Sequence, residues 1–273
     1  MFDVCISIVN TKERSEVEQA LTTLLADSVN SKLDIGIVVV DNNSNEAIEE
    51  LENKFPNLIT IKHNRNMGFG YSHNRAIEKM PARYYFILNP DTEFPVGQNF
   101  LRKFVDYMDA HLKIGLAGPR IFYPDGTLQY SCYRFPTFFQ PLYSRTKFGA
   151  TKVGLAATHD YLMKDFDHQT TKPVDWVMGS AMFLRRSAYE QVGGFDENFF
   201  MYAEDSDLCR RLWENGWTVY YVHNIFLSHV HVRASAKTSG VLKSIFKNKF
   251  TRIHILSWLK YFFKWRGNRK YYV

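Results

Sequence analysis

Tyr84-Tyr85-Phe86-Ile87-Leu88-Asn89-Pro90-Asp91-Thr92-Glu93 is the stretch whose reading decides the fold. Five apolar or aromatic residues run without a helical period into a turn, which predicts a strand buried on both faces. Pro90 has no N–H to give to a ladder, so the strand ends there. Asp91 then lies just past the carboxyl end of a buried strand, the edge at which open α/β sheets bind ligands. A carboxylate there can hold a hard divalent cation, and the cation can hold phosphate oxygens. Asn-Pro-Asp is also ordinary turn chemistry, in which Asp91 simply caps the next turn of the chain.

The chain upstream repeats this grammar. Val4–Val9 and Ile35–Val40 are apolar runs that end in Asn10-Thr11 and in Asp41-Asn42-Asn43-Ser44. Between them, Val17, Ala20, Leu21, Leu24 and Leu25 recur at helical spacing. Ala47–Phe55 reads as a short helix closed by Pro56, and Leu58–Ile61 as a third strand. Asn66-Met67-Gly68-Phe69-Gly70 is a glycine loop leading into a helix through Asn74. Strands alternating with helices predict a parallel α/β sheet. Asn10, Asp41 and Asp91 then gather at its carboxyl edge, which makes a nucleotide crevice the natural expectation. A helix N-cap is the competing role for Asp41. The glycine loop matches neither the P-loop nor the dinucleotide fingerprint, so kinase and NAD readings have no motif to stand on.

Downstream the pattern loosens from Gly118 to Lys172. Phe122–Thr127 reads as a hairpin turn. Phe135–Pro141 is aromatic and Pro-rich, and the whole region reads either as an excursion that covers a site or as a plain surface insertion. Val174–Arg186 reads as a strand with Gly179 where something packs close. Phe199-Phe200-Met201-Tyr202-Ala203-Glu204-Asp205-Ser206-Asp207 then brings three carboxylates to the start of a helix. The helix dipole favours acids there. Their mutual repulsion nevertheless asks for a shared proton or cation, which makes the cluster a candidate general base. Trp217–Val222 is a last strand, followed by Ser228-His229-Val230-His231, whose two imidazoles point to opposite faces of an extended chain.

Composition bounds the function. The 273 residues are 45% hydrophobic and 16% aromatic, enough for a large core. Cys5, Cys132 and Cys209 are odd in number and widely spaced, which suggests a reducing compartment without a disulfide framework or a zinc cluster. The N-terminus does not read as a signal peptide, and no stretch has the roughly 18 apolar residues of a membrane span. The net charge of +6 is lopsided. Beyond Glu214 there are eleven Lys and Arg residues and no acid, so the basic character belongs to a tail on a mildly acidic body. In that tail Leu242, Ile245, Phe246, Phe250, Ile253, Leu256, Leu259, Phe262 and Phe263 recur at helical intervals among the cations. This predicts amphipathic helices that lie on an anionic membrane surface; packing of the apolar face on the body or on another subunit is the alternative. Nucleic-acid binding through the tail has no motif to support it.

Taken as an ordered set, these residues resemble a known family. The blocks are Ser7–Asn10, Val39–Ser44, Asn66–Gly70 with Asn74, Leu88–Asp91, Asp175-Trp176 with Gly179 and Arg185-Arg186, and Phe200–Cys209 with Arg211. Together they are similar to the inverting, metal-dependent glycosyltransferases of family 2, and most of all to bacterial rhamnosyltransferases of cell-wall and O-antigen polysaccharide assembly. The resemblance covers roughly residues 4–235. It implies a GT-A fold, with a Rossmann-like, mostly parallel central sheet flanked by helices. It also implies a catalytic domain over 1–235 and a basic amphipathic helical tail over 236–273.

By this resemblance Asn10 and Asp41 contact the base and ribose of a nucleotide, and Asn66, Gly68 and Asn74 lie beside it. Asn89 and Asp91 stand where the family carries its Asp-x-Asp motif. Only the second acid is kept, so Asp91 anchors Mg²⁺ or Mn²⁺ with His229 helping. Asp205, with Glu204 beside it, is the catalytic base, and Trp176 and Gly179 line the acceptor side. The implied donor is dTDP-rhamnose, with a UDP-hexose as the alternative, and the implied acceptor is a polyprenyl-diphosphate-linked saccharide. The expected location is cytoplasmic, peripheral on the inner face of the cell membrane. Nucleic acid is not an expected partner, and a homo-oligomer is left open.

Overall fold

The computed structural model describes residues 1–230, 248–268 and 270. Four apolar strands form a parallel block in the order β3-β2-β1-β4: β1 (Phe2–Asn10), β2 (Ile35–Asp41), β3 (Leu58–Lys62) and β4 (Ala82–Leu88). Their side chains alternate between two hydrophobic clusters. Ile6, Ile8, Tyr84, Phe86 and Leu88 face α1 (Arg14–Ser28) through Val17, Leu21 and Leu24. Cys5, Val38, Tyr85 and Ile87 face α2 (Phe69–Lys79) through Ala76 and Ile77. Both faces are covered, which is why the strands are apolar throughout. Burial of each large apolar side chain contributes about 1.5–3 kcal/mol relative to exposure.

The sheet continues past β4. Short β5 (Thr92–Glu93) follows the Asn-Pro-Asp turn, then α3 (Phe100–Ala110) covers the α1 side with Phe100, Phe104 and Met108. β6 (Ile114–Phe122) pairs with β7 (Leu128–Gln129) around the expected hairpin turn. β8 (Cys132–Tyr133) leads into the excursion, which carries α4 (Gln140–Arg145) and α5 (Lys152–Tyr161). The expected strand over Val174–Arg186 is interrupted. β9 (Lys172–Pro173) precedes it, β10 (Trp176–Val177) and β11 (Ala181–Arg185) are its separate pieces, and Gly179-Ser180 turn the chain between those two. The expected helix at Ala47–Phe55 is a 3₁₀ turn over Ile48–Asn53.

After α6 (Arg186–Val192) and α7 (Glu204–Glu214), β12 (Thr218–His229) returns to the sheet. The full order is β3-β2-β1-β4-β11-β6-β12-β5, with β11 antiparallel to both neighbours, β12 parallel to β6, and β5 antiparallel to β12. The sheet is therefore mixed at β11 and mostly parallel elsewhere. Pairing of β12 with β5 sets His229 opposite Thr92, which brings the end of the last long strand back to the Asn-Pro-Asp turn.

Part of the basic tail is described as α8 (Lys249–Lys264), capped by Asn248. Its buried residues Thr251, Ser257 and Tyr261 face the body. Trp258 and Phe262 pack on Phe138 of the excursion, with ring centroids 4.8 and 5.3 Å apart. His231, Leu242, Ile245, Phe246 and the 235/236 boundary lie outside the described residues. No described helix is long and apolar enough to cross a membrane.

Candidate active site

The carboxyl ends of β1, β2 and β4 carry the polar residues that the sequence placed there. Asn10 and Asp41 are ladder partners, both buried. Asn10 donates to Glu46 Oε2 at 2.9 Å and accepts from the Glu13 N–H at 2.8 Å. Asp41 accepts from the Ser44 N–H at 2.8 Å, so it closes its own turn in the manner of the competing capping role. Asn42 holds the glycine loop across the site: its amide donates to Asn66 Oδ1 at 2.9 Å and its Oδ1 accepts from the Met67 N–H at 2.7 Å.

Gly68 has φ +91°, and a Cβ there would lie 2.2 Å from the Phe200 carbonyl oxygen. Only glycine fits this approach. The next N–H, of Phe69, donates to the same Phe200 oxygen at 3.0 Å. The loop is thereby tied to the segment that leads into α7. Asn74 serves the same junction. Its Oδ1 accepts from the Tyr189 hydroxyl and the Phe195 N–H, and its amide donates to the Phe195 carbonyl and to Glu197. The resemblance implies a place beside a nucleotide for Asn74; in the structure its carboxamide spans α2 and the turn ahead of α7.

Two acidic centres flank the junction of β4 and β11. At the first, Asp91 Oδ1 lies 3.1 Å from Nε2 of buried His229, and the Asn89 amide is 3.5 Å from the same nitrogen. His229 Nδ1 bonds Gln129 Oε1 at 2.9 Å. When Nε2 carries no proton, it and the facing carboxylate oxygen are two donor atoms that one cation can share. The donor set of one carboxylate and one imidazole thus fits a divalent ion whose remaining ligands come from phosphate and water. No cluster of three or more His, Cys, Asp or Glu suited to a metal occurs among the described residues. An open cleft of about 560 Å³ borders this centre, lined by Glu13, Glu16, Pro90, Asp91, Glu93 and Val230 among others.

At the second centre, α7 begins with Glu204 and Asp205. The Gly179 N–H donates to Asp205 Oδ2 at 3.1 Å, and the Ser206 N–H donates to Oδ1 at 2.8 Å. Burial pushes Asp205 up to about 6, partly offset by these bonds. Glu204 is buried, and its Oε2 has no hydrogen-bond partner among the described residues. Burial first, and then the adjacent Asp205 carboxylate, hold Glu204 well above the usual carboxylate range. Asp207, which the sequence grouped with them, faces away: it is fully buried against Arg211, Lys264 and Trp265.

The backbone joins the two centres. The Asn89 N–H donates to the Ser180 carbonyl at 2.9 Å, and the adjacent Gly179 donates to Asp205. A Cβ on Gly179 would meet the Phe69 ring at 3.3 Å and Asp205 Oδ2 at 3.5 Å, so the glycine loop, Gly179 and Asp205 abut. Trp176 stands further back. It is 8% exposed, stacks on Tyr133 with centroids 4.4 Å apart, and bonds the Arg134 carbonyl through Nε1. Gln129, Phe69 and the Gly179 N–H were not anticipated from the sequence. None carries a local signal for its role, because each acts through a neighbour distant in the chain.

Comparison with known proteins agrees with this geometry. Residues 3–193 match the family model described as Glycosyl transferase family 2, and residues 167–233 match one described as N-terminal domain of galactosyltransferase. The chain is 27% identical over 215 residues to N-acetylglucosaminyl-diphospho-decaprenol L-rhamnosyltransferase of Mycobacterium tuberculosis, covering 71% of this chain and 66% of that protein. It thus spans just under two thirds of that relative's length. It is 27% identical over 238 residues to rhamnosyltransferase WbbL of Escherichia coli, covering 83% and 84% of the two chains. Among solved structures, the mannosyltransferase PcManGT from Pyrobaculum calidifontis in complex with GDP-Man and Mn²⁺ superposes with a TM-score of 0.58 at 16% identity, over 96% of this chain and 70% of that one. GalNAc-T7 with UDP, GalNAc and Mn²⁺ gives 0.59 at 13% identity, over 85% and 44%. At these identities the structural likeness shows the GT-A fold.

Proposed function

Because the chain belongs to glycosyl transferase family 2, we propose that it transfers L-rhamnose, with inversion, from dTDP-rhamnose to a polyprenyl-diphosphate-linked saccharide of a bacterial cell-surface polysaccharide. The observation that carries the reading is the Asp205 carboxylate, raised to about 6 and aimed by two backbone N–H groups, one contact removed from the Asn89–Asp91 turn. The rhamnosyl donor is supported by the names of two relatives, and the lipid-diphosphate acceptor by the name of one.

The chemistry derives from these groups. The acceptor hydroxyl attacks the anomeric carbon and its proton passes to Asp205. The bond from that carbon to the diphosphate oxygen breaks, and the nucleoside diphosphate leaves with the electron pair. A single displacement inverts the centre, so a β-linked donor gives an α-rhamnoside. Asp91 and His229 would hold Mg²⁺ or Mn²⁺, which neutralises the charge of the leaving diphosphate. Burial and the neighbouring carboxylate favour the neutral form of Glu204, which limits the negative charge beside the base. Asn10, Asp41 and the Asn66–Gly68 loop shape the nucleotide side, and Gly179 keeps the acceptor side open next to Asp205.

The enzyme works on the cytoplasmic face of the membrane, held there by its tail. Leu256 and Phe263 are 57% and 66% exposed on α8, on the side away from Ser257 and Tyr261, with Arg252 beside Leu256. Apolar residues among cations suit an anionic lipid surface. The test of the activity is a donor screen on a synthetic polyprenyl-diphosphate-GlcNAc acceptor, with and without Mn²⁺. Transfer from dTDP-rhamnose and not from UDP-hexoses supports the reading; transfer from a UDP-hexose alone would refute the donor.

A further inference from the structure

Helix α8 does more than offer an outer face. Its inner face grips the segment that presents the proposed base. That segment is strained: Tyr202 and Ala203, directly before Glu204, have φ of 69° and 68°. Two successive non-glycine residues in the left-handed region relax unless their surroundings over-determine them. Helix α8 supplies several of the contacts around this segment. Ser257 Oγ donates to the Met201 carbonyl at 2.7 Å, the His254 ring lies 4.6 Å from that of Tyr202, and Lys260 Nζ donates to the Asn198 carbonyl at 2.7 Å.

The firmest point lies one turn further on. Asp207 is fully buried, and its carboxylate takes Lys264 Nζ at 2.8 Å, Trp265 Nε1 at 2.9 Å and Arg211 Nε at 2.8 Å. Lys264 also reaches Asp196 Oδ2 at 2.6 Å, so one ammonium pins both ends of the turn that contains the strained pair. Arg210 adds a second anchor through the Asn268 carbonyl at 2.6 Å, with its guanidinium 4.6 Å from the Trp265 ring. Asp205 and Asp207 lie two positions apart on a helix and so face opposite ways. One looks to Gly179 and the other to α8.

We propose that α8 is a positioning strap for the catalytic carboxylate: Lys264 and Trp265, by holding Asp207, fix the first turn of α7 and thereby the aim of Asp205. The proposal rests on the glycosyltransferase reading. Lys264, Trp265 and Asp207 are positioning residues and touch no substrate. A buried carboxylate that loses its ammonium partner shifts, and a displacement of about 1 Å at a catalytic group costs on the order of 10²-fold in rate.

The test compares Lys264→Met, Lys264→Arg and Trp265→Phe with the unaltered chain in full-length protein. The readouts are kcat, the KM for the sugar-nucleotide donor, the affinity for dTDP and for UDP, and the melting temperature. Lys264→Met is expected to lower kcat on the order of 10²-fold, with donor KM and nucleotide affinity unchanged. Lys264→Arg is expected to restore most of kcat, and Trp265→Phe to give a smaller loss in the same sense. Unchanged kcat in Lys264→Met overturns the strap. Equal loss of kcat and nucleotide affinity with a lowered melting temperature also overturns it, in favour of a general structural role. Failure of the unaltered chain to transfer sugar from any nucleotide donor overturns the glycosyltransferase reading itself.

Discussion

Asp91 and Asp205 stand on either side of one strand junction, and the fold treats them in opposite ways. Asp91 is given an imidazole at 3.1 Å and opens onto a cleft with further acidic groups at its rim. Asp205 is given two backbone N–H groups, and burial pushes it up to about 6. A carboxylate beside an imidazole and open space can share a cation. A desolvated carboxylate aimed by amides, with a titration point close to neutrality, is built to exchange a proton. On the proposed reading the same side-chain chemistry serves two functions, and the environment separates them.

The contrast can be broken from either side. Asp205→Asn carries the largest expected effect: kcat should fall by about 10²–10⁴-fold, the span of a general base, while dTDP affinity measured by calorimetry stays the same. Asp91→Asn should act through the cation instead. Mn²⁺-dependent tightening of nucleotide binding should vanish, and kcat/KM should fall by about 10²-fold or more, since charge neutralisation at a leaving diphosphate is worth several kcal/mol. If Asp91→Asn left the Mn²⁺ dependence intact, the two carboxylates would not divide their work in this way. Gln129→Leu sharpens the comparison, because it touches only the residue that orients His229. Metal affinity should drop by about 10–100-fold with Asp205 undisturbed. The smallest expected effect lies outside both centres. Leu256→Ser with Phe263→Ser should reduce flotation with anionic liposomes severalfold, each lost apolar contact being worth about 1.5–3 kcal/mol at most, and should leave turnover on a soluble acceptor analogue unchanged.

Much of this arrangement was legible in the sequence, for identifiable reasons. β1 to β4 announce themselves as apolar runs because both faces of a parallel block are covered. The turn that puts Asp91 at the sheet edge is dictated by Pro90. The approach to α7 is marked by three carboxylates that no solvated helix start would need so close together. The limits are equally physical. Trp176 stacks on Tyr133 and Asn74 is taken up by Phe195, Tyr189 and Glu197. These partners lie far off in the chain, and spacing alone does not reveal them. The Asp207–Lys264 pair spans 57 positions with no local signal. For the tail the sequence offered contact with lipid, with packing on the body as the alternative; α8 has an inner face committed to Phe138, Met201 and Asp207 and an outer one that carries Leu256 and Phe263. Helical periodicity reveals that apolar residues recur, and packing decides which of them remain outside.

The account turns on Asp205 as the base, and the pH dependence of kcat tests it most directly. The carboxylate must be ionised to accept a proton, so a pKa near 6 makes the rate low on the acid side and rising through about pH 6 to a plateau. The account predicts this limb in the unaltered enzyme and its loss, at much lower rate, in Asp205→Asn. The same limb persisting in Asp205→Asn, with the rate undiminished, would contradict it.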